Sequence, residues 1–183
     1  MTDILALDVA IRSGWARGRV GEMPVAGSVR FGGADASANA VFAHCLSWLS
    51  RELEPEPRPD MVMIESLLSP DAKVGFTNRD VRDRLAGLHG VVRAVAFLRG
   101  IYTINEASVG DVRAHFIGDR TLKRAPAKRE VMSRCRQLGW TATDDNAGDA
   151  LALWSFAAAL IDPSLALRVT PLFGTAKVAE VFP

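Results

Sequence analysis

The chain has few of the residues that build covalent or soft-metal sites: among 183 residues there are 2 cysteines and 3 histidines. Cys45 and Cys135 lie far apart and in no metal-ligand spacing. This argues against a disulfide framework or a zinc site and reads as reduced thiols of a cytoplasmic protein. His44, His89 and His115 are too scattered for a metal triad. Ser66 has no base near it in the sequence, so nucleophilic catalysis has no support. Long apolar runs are also missing. Even Asp149 to Ile161 falls short of the roughly 18 residues a membrane span needs, and no basic leader with a cleavable apolar segment precedes the first strand. No membrane partner is expected. Glycine-rich phosphate loops are absent too, and the chain is too short for the two domains of a sugar kinase-like ATPase. There are no repeats and no low-complexity tract.

What is present is an ordinary globular composition, 49% hydrophobic and 23% charged, and enough length for one domain with a sizeable core. The net charge of +1 hides an asymmetry. Arg79 to Arg136 holds thirteen Lys and Arg against six Asp and Glu, densest from Arg120 to Arg129. Such a stretch is either solvated surface or a phosphate contact.

The acids are the strongest signal. Asp8 lies in the apolar run Ile4 to Ala10, Glu65 ends the run Met61 to Ile64, and Asp145 and Asp149 are one helical turn apart at the head of a third. A carboxylate placed where burial is expected costs several kcal/mol unless something offsets it. Three such places suggest convergence on a shared cation. Carboxylates without Cys or His suit hard ions such as Mg²⁺ or Mn²⁺. Other readings stay open: Asp8 as a satisfied buried acid, Asp145 as a helix N-cap, and Lys128 as a solvated lysine.

Strands are expected at 4–10, 15–20 and 25–31, the first two joined by a turn at Arg12-Ser13-Gly14. A helix capped by Asp35 or Ser37 should run to about Leu53. The proline-rich stretch Glu54 to Pro59 follows, and then a buried strand at Met61 to Ile64. Helices are expected at Asp80–Leu98, at Val109–Phe116 behind Ser108, from Pro126 to about Leu138, and from Asp145 or Asn146 to Leu160. A short strand is expected at Ile101–Ile104. His89 reads as a core histidine, and Trp15, Trp48 and Trp154 as core candidates. Gly87 and Gly90 would allow a close helix approach. The tail from Pro163 to Pro183 shows no pattern, so the domain is taken as 1–162 and the tail as 163–183. The order β-β-β-α-β-α-β-α-α-α implies a mixed α/β sheet with helices on both faces.

Acids on the first strand, the fourth strand and a late helix resemble the ribonuclease H-like fold. More narrowly, the chain resembles the RuvC-like Holliday junction resolvases of phages and prophages. The resemblance is carried by Ile4-Leu5-Ala6-Leu7-Asp8 with Ser13-Gly14-Trp15-Ala16, by Ile64-Glu65-Ser66, and by Leu85 to Val91. It continues through Val109 to Arg113 and Lys128 to Met132 to Asp145-Asn146-Ala147-Gly148-Asp149-Ala150-Leu151-Ala152, and so covers roughly residues 3–160.

The resemblance implies a five-stranded mixed sheet and a homodimer that cuts branched DNA with two Mg²⁺ or Mn²⁺ ions per site, about 4 Å apart. It implies that Asp8 bridges both ions, with Glu65 and Asp149 completing one on each side. Lys128 would meet the scissile phosphate or orient water, and Arg113, Lys123, Arg124 and Arg129 would hold DNA. A nuclease for RNA–DNA hybrids and a catalytically silent binding module are the alternatives. The family's last motif carries two acids, or a His and an acid, three residues apart. Here Asn146 fills the earlier position, so Asp145 or Asn146 supplies the fourth ligand. Charge favours Asp145, with Asn146 positioning water. The family's junction-wedging aromatic also has no clear counterpart: Leu67 and Leu68 stand near its place, with Phe76 further on.

Overall fold

The computed structural model describes residues 1–33, 35–67 and 79–165. Strands β1 (Asp3–Asp8), β2 (Arg12–Arg19) and β3 (Val25–Arg30) form an antiparallel meander, followed by helix α1 (Ala38–Glu52). Then come β4 (Met61–Glu65), α2 (Arg79–Leu98), β5 (Thr103–Ala107), α3 (Val109–Ile117), α4 (Arg124–Gln137) and α5 (Asp145–Ile161). The sheet order is β3-β2-β1-β4-β5, with β4 parallel to both β1 and β5. The element order and the mixed sheet are those expected from the sequence.

The period of two along the strands divides the core into two layers. Ile4 and Ala6 of β1 join Met61 and Met63 of β4 in a cluster with α3, α4 and α5. Leu5, Leu7, Val62 and Ile64 point the other way and pack with α1 and α2. Trp154 lies in the first layer with Trp140 against it, while Trp15 and Trp48 pack against the second. The His89 side chain is buried, as expected.

Several boundaries differ from those expected. Arg12, Ser13 and Gly14 lie inside β2 rather than in a turn. The chain reverses just before them, where the Ser13 hydroxyl donates to the Ala10 carbonyl (2.7 Å) and accepts from the Ala10 amide (3.0 Å). β5 lies further along than Ile101–Ile104 because it is an edge strand with exposed polar residues, which hides its alternation. α4 starts at Arg124, two residues before Pro126, which falls within the first turn, where a missing N–H costs nothing. Ser37 and Ser108 do cap α1 and α3.

Gly87 is closed to any partner chain, since a Cβ there would come within 2.2 Å of the Phe42 ring of α1. The apolar face of α2, with Leu88, Val92 and Val95, is likewise taken up by the core of its own chain. Gly90 opens onto free space. Of the tail, Pro163–Leu165 form one 3-10 turn, with Leu165 packed on the first layer. Residues from 166 on, and Leu68 and Phe76, lie outside the described residues. No described helix is long and apolar enough to cross a membrane.

Candidate active site

The register of the sheet brings the first two acids together. Leu7 pairs with Ile64 across β1 and β4, so one further step sets Asp8 beside Glu65. Both continue the alternation of Ile4-Ala6 and Met61-Met63, so both face α5. On the other side of β1, Asp8 pairs with Gly14 of β2, and Gly14 pairs with Ser28 of β3.

Gly14 sets the position of α5. A Cβ there would lie 1.9 Å from the Asn146 carbonyl oxygen and 3.2 Å from the Ala150 Cβ. The bare strand therefore lets the first turn of α5 rest directly on the row that carries Asp8. Gly148 does the same on the far side of the helix, where a Cβ would come within 2.8 Å of Met132 Sδ on α4. That close approach brings Lys128 of α4 to α5. Its ammonium bonds to Asp145 and stands 3.8 Å from Asp149.

Helix α5 opens at Asp145, as expected, and its N-cap is Asp144 rather than Asp145. One carboxylate oxygen of Asp144 accepts from the Ala147 amide (2.9 Å). The other accepts from Ser28 Oγ and Arg12 Nη2, each at 2.6 Å. Burial opposes ionisation of this group, but the bonds from Ser28, Ala147 and Arg12 together hold its pKa below the ordinary value. One side chain thus caps the helix and ties it to β2 and β3. Sequence reasoning misses Asp144, because an aspartate in a polar loop reveals nothing of partners more than a hundred residues away.

The four acids are not equivalent. Burial raises Asp8 to about 6, assisted by the negative charge of Asp149. Burial raises Glu65 to about 8, with repulsion from Asp8 and Asp149 added. Asp149 is also raised by burial, against the pull of Lys128, Arg113 and Arg124. Asp145 moves the other way, because the hydrogen bond from Lys128 favours its charged form. The Asp145 side chain is 46% exposed and takes the Lys128 hydrogen bond, whereas that of Asp149 is 25% exposed and stands 3.8 Å from the ammonium, so the hydrogen bond and burial together separate the two.

The structure therefore gathers Asp8, Glu65, Asp149 and Asp145 with Lys128, and brings Arg113 and Arg124 within electrostatic range. Arg113 also donates to the Leu122 carbonyl (3.2 Å). Lys123 and Arg129 are exposed at the start of α4 and have no acidic partner among the described residues. Arg120 is paired with Asp111. Asn146 contributes its main chain to the contact with Gly14. His115 bonds to Ser155 (2.9 Å), and His44 bonds to the Phe31 carbonyl.

The donor set fits a hard divalent cation. It consists of carboxylates alone, and Asp8 and Glu65 have no hydrogen-bond partner among the described residues to offset their charge. Among the described residues no three His, Cys, Asp or Glu side chains are so placed that they could hold a metal ion as they stand. The arrangement is a cluster of four carboxyl groups, three of them pushed up by burial, with the Lys128 ammonium beside Asp145 and Asp149.

No protein-family model matches the chain, and no curated protein matches its sequence. Solved structures do match. Thermus thermophilus RuvC superimposes with a TM-score of 0.65 at 16% identity, over 87% of this chain and 95% of that one. The same protein in complex with a Holliday junction substrate gives 0.67 at 15% identity, over 88% and 96%. The five-stranded mixed sheet with its helices is the ribonuclease H-like fold of these neighbours.

Proposed function

We propose that the protein is a metal-dependent endonuclease that cuts phosphodiesters in four-way or otherwise branched DNA. The observation that carries this reading is the convergence of Asp8, Glu65 and Asp149 on one face of the sheet, with Lys128 beside them. Buried acids that repel one another are an unfavourable way to finish a core, and a bound cation turns that cost into affinity. The likeness in fold to a RuvC solved on a Holliday junction adds the substrate class. In this reading Asp8, Glu65 and Asp149 hold Mg²⁺ or Mn²⁺, Asp145 is the fourth ligand, and Asn146 has a secondary role. Two ions bound there would supply an activated water and charge to steady the leaving 3′ oxygen. Lys128 is poised to meet a phosphate oxygen once its hold on Asp145 relaxes, since an ammonium on a flexible stem re-aims easily. Arg113, Lys123, Arg124 and Arg129 grip neighbouring phosphates, fixing register without reading bases.

Paired cuts in a two-fold junction call for a homodimer. Its face would be the outer side of α2, where Gly90 is open and Phe97 and Leu98 are exposed. The test is cleavage of a labelled four-way DNA junction, a linear duplex and an RNA–DNA hybrid, side by side with Mg²⁺ or EDTA. The proposal expects Mg²⁺-dependent cutting of the junction well above the duplex. Preferential cutting of the hybrid would transfer the protein to ribonuclease chemistry. Binding without cutting of any substrate would reduce it to a binding module.

A further inference from the structure

We propose that Arg12 and Arg30 form a second phosphate-binding pair, gripping a DNA arm on the opposite side of Asp8 from the α3 and α4 cations. This rests on the branched-DNA reading and adds a binding surface to it. Arg12 and Arg30 are register partners on β2 and β3. They lie on the same face as Gly14 and Ser28, the face on which Asp8 stands. Like charges directly opposed across antiparallel strands are destabilising. Here only one of the two is neutralised. Arg12 binds Asp144, while Arg30 donates to the Gly32 carbonyl (2.9 Å) and has no acidic partner among the described residues. Both are exposed, and the Arg12 side chain keeps 58% of its surface in solvent. A guanidinium already oriented by Asp144 has less freedom to lose when it takes up a phosphate.

The location gives the pair its use. Arg12 is two residues from Gly14, the partner of Asp8, which is roughly 7 Å along the strand. Strand order puts Arg12 and Arg30 on the β3 side of Asp8. The cations that act on Glu65, Arg113 and Arg124, come from α3 and α4 instead. A phosphate chain crossing the acids is repelled at the centre, so cations on both flanks are needed to hold it down. The diverging arms of a branched DNA provide backbone to both flanks at once.

The experiment is a salt series of anisotropy titrations with a labelled four-way junction in EDTA. It compares wild type, Arg30→Gln, Arg30→Lys and Arg12→Gln, with thermal unfolding alongside. Arg30→Gln leaves the Asp144 cap intact, so it decides. We expect it to weaken binding several-fold and to flatten the salt dependence by about 0.9 for each phosphate it no longer holds, with melting unchanged or slightly raised. Arg30→Lys should restore most of the slope. Arg12→Gln should lower both affinity and melting temperature. Wild-type affinity and slope in Arg30→Gln, beside a wild type that binds and cuts junctions, would overturn the pair alone. A wild type that neither binds nor cuts junctions would overturn the underlying reading instead.

Discussion

The two faces of the sheet are built from the same strands but end differently. Towards α1 and α2, β1 and β4 present Leu5, Leu7, Val62 and Ile64, apolar to the last residue. Towards α5 they present Ile4, Ala6, Met61 and Met63, and then stop at Asp8 and Glu65. A shift of one residue in register would exchange the faces. One face is therefore packing throughout, while the other carries its packing up to the C-terminal edge and ends on charge.

The largest break in this comparison comes from exchanging single groups on each face. Asp8→Asn, Glu65→Gln or Asp149→Asn should each lower junction cleavage by at least ~10²-fold, as is typical for loss of a charge acting on the transition state, with folding kept. Leu7→Ala on the other face should instead cost about 2–5 kcal/mol in stability and reduce activity only through the unfolded fraction. Cleavage rates normalised to folded protein, with denaturant melts, distinguish the two.

Next in size is Gly14→Ala. It leaves every charge in place but drives a methyl group into the Asn146 carbonyl. Overpacking of this kind costs roughly 1–3 kcal/mol. Because the strain falls at the head of α5, we expect a raised Mg²⁺ requirement as well as a lower melting temperature. A melting change with an unaltered metal requirement would separate α5 placement from the site.

The third effect is one of pH and is read on the metal-free protein. Asp8 and Glu65 hold protons to about 6 and about 8 in the folded chain, above their ordinary values. The unfolded chain thus releases these protons first, and metal-free stability should fall as pH rises from about 4 to 8. Glu65→Gln should flatten that fall in chemical melts at pH 5 and pH 8, while Leu7→Ala should leave its slope alone.

Much of this is legible in the sequence for a physical reason. Asp8 and Glu65 stand out because each interrupts or closes an apolar run, and Asp149 because it heads one. Ser37 and Ser108 stand out because capping is local. The parts that stay hidden depend on distant partners. Asp144 works through Ser28 and Arg12, Gly14 through a helix carbonyl, and Gly87 through Phe42. β5 lies away from its expected place because an exposed edge strand lacks the alternation that burial imposes.

The most direct measurement of the central claim, that the acids at the end of the α5 face form a divalent-cation site, needs no DNA. Thermal unfolding of wild type and Asp8→Asn is followed at pH 8 while Mn²⁺ or Mg²⁺ is raised. A ligand that binds only the folded state at 100 times its dissociation constant adds about 2.7 kcal/mol. Wild type should therefore gain markedly in melting temperature. Asp8→Asn, more stable without metal because the repulsion is gone, should gain little. Equal gains in both proteins, or none in wild type, would contradict the account.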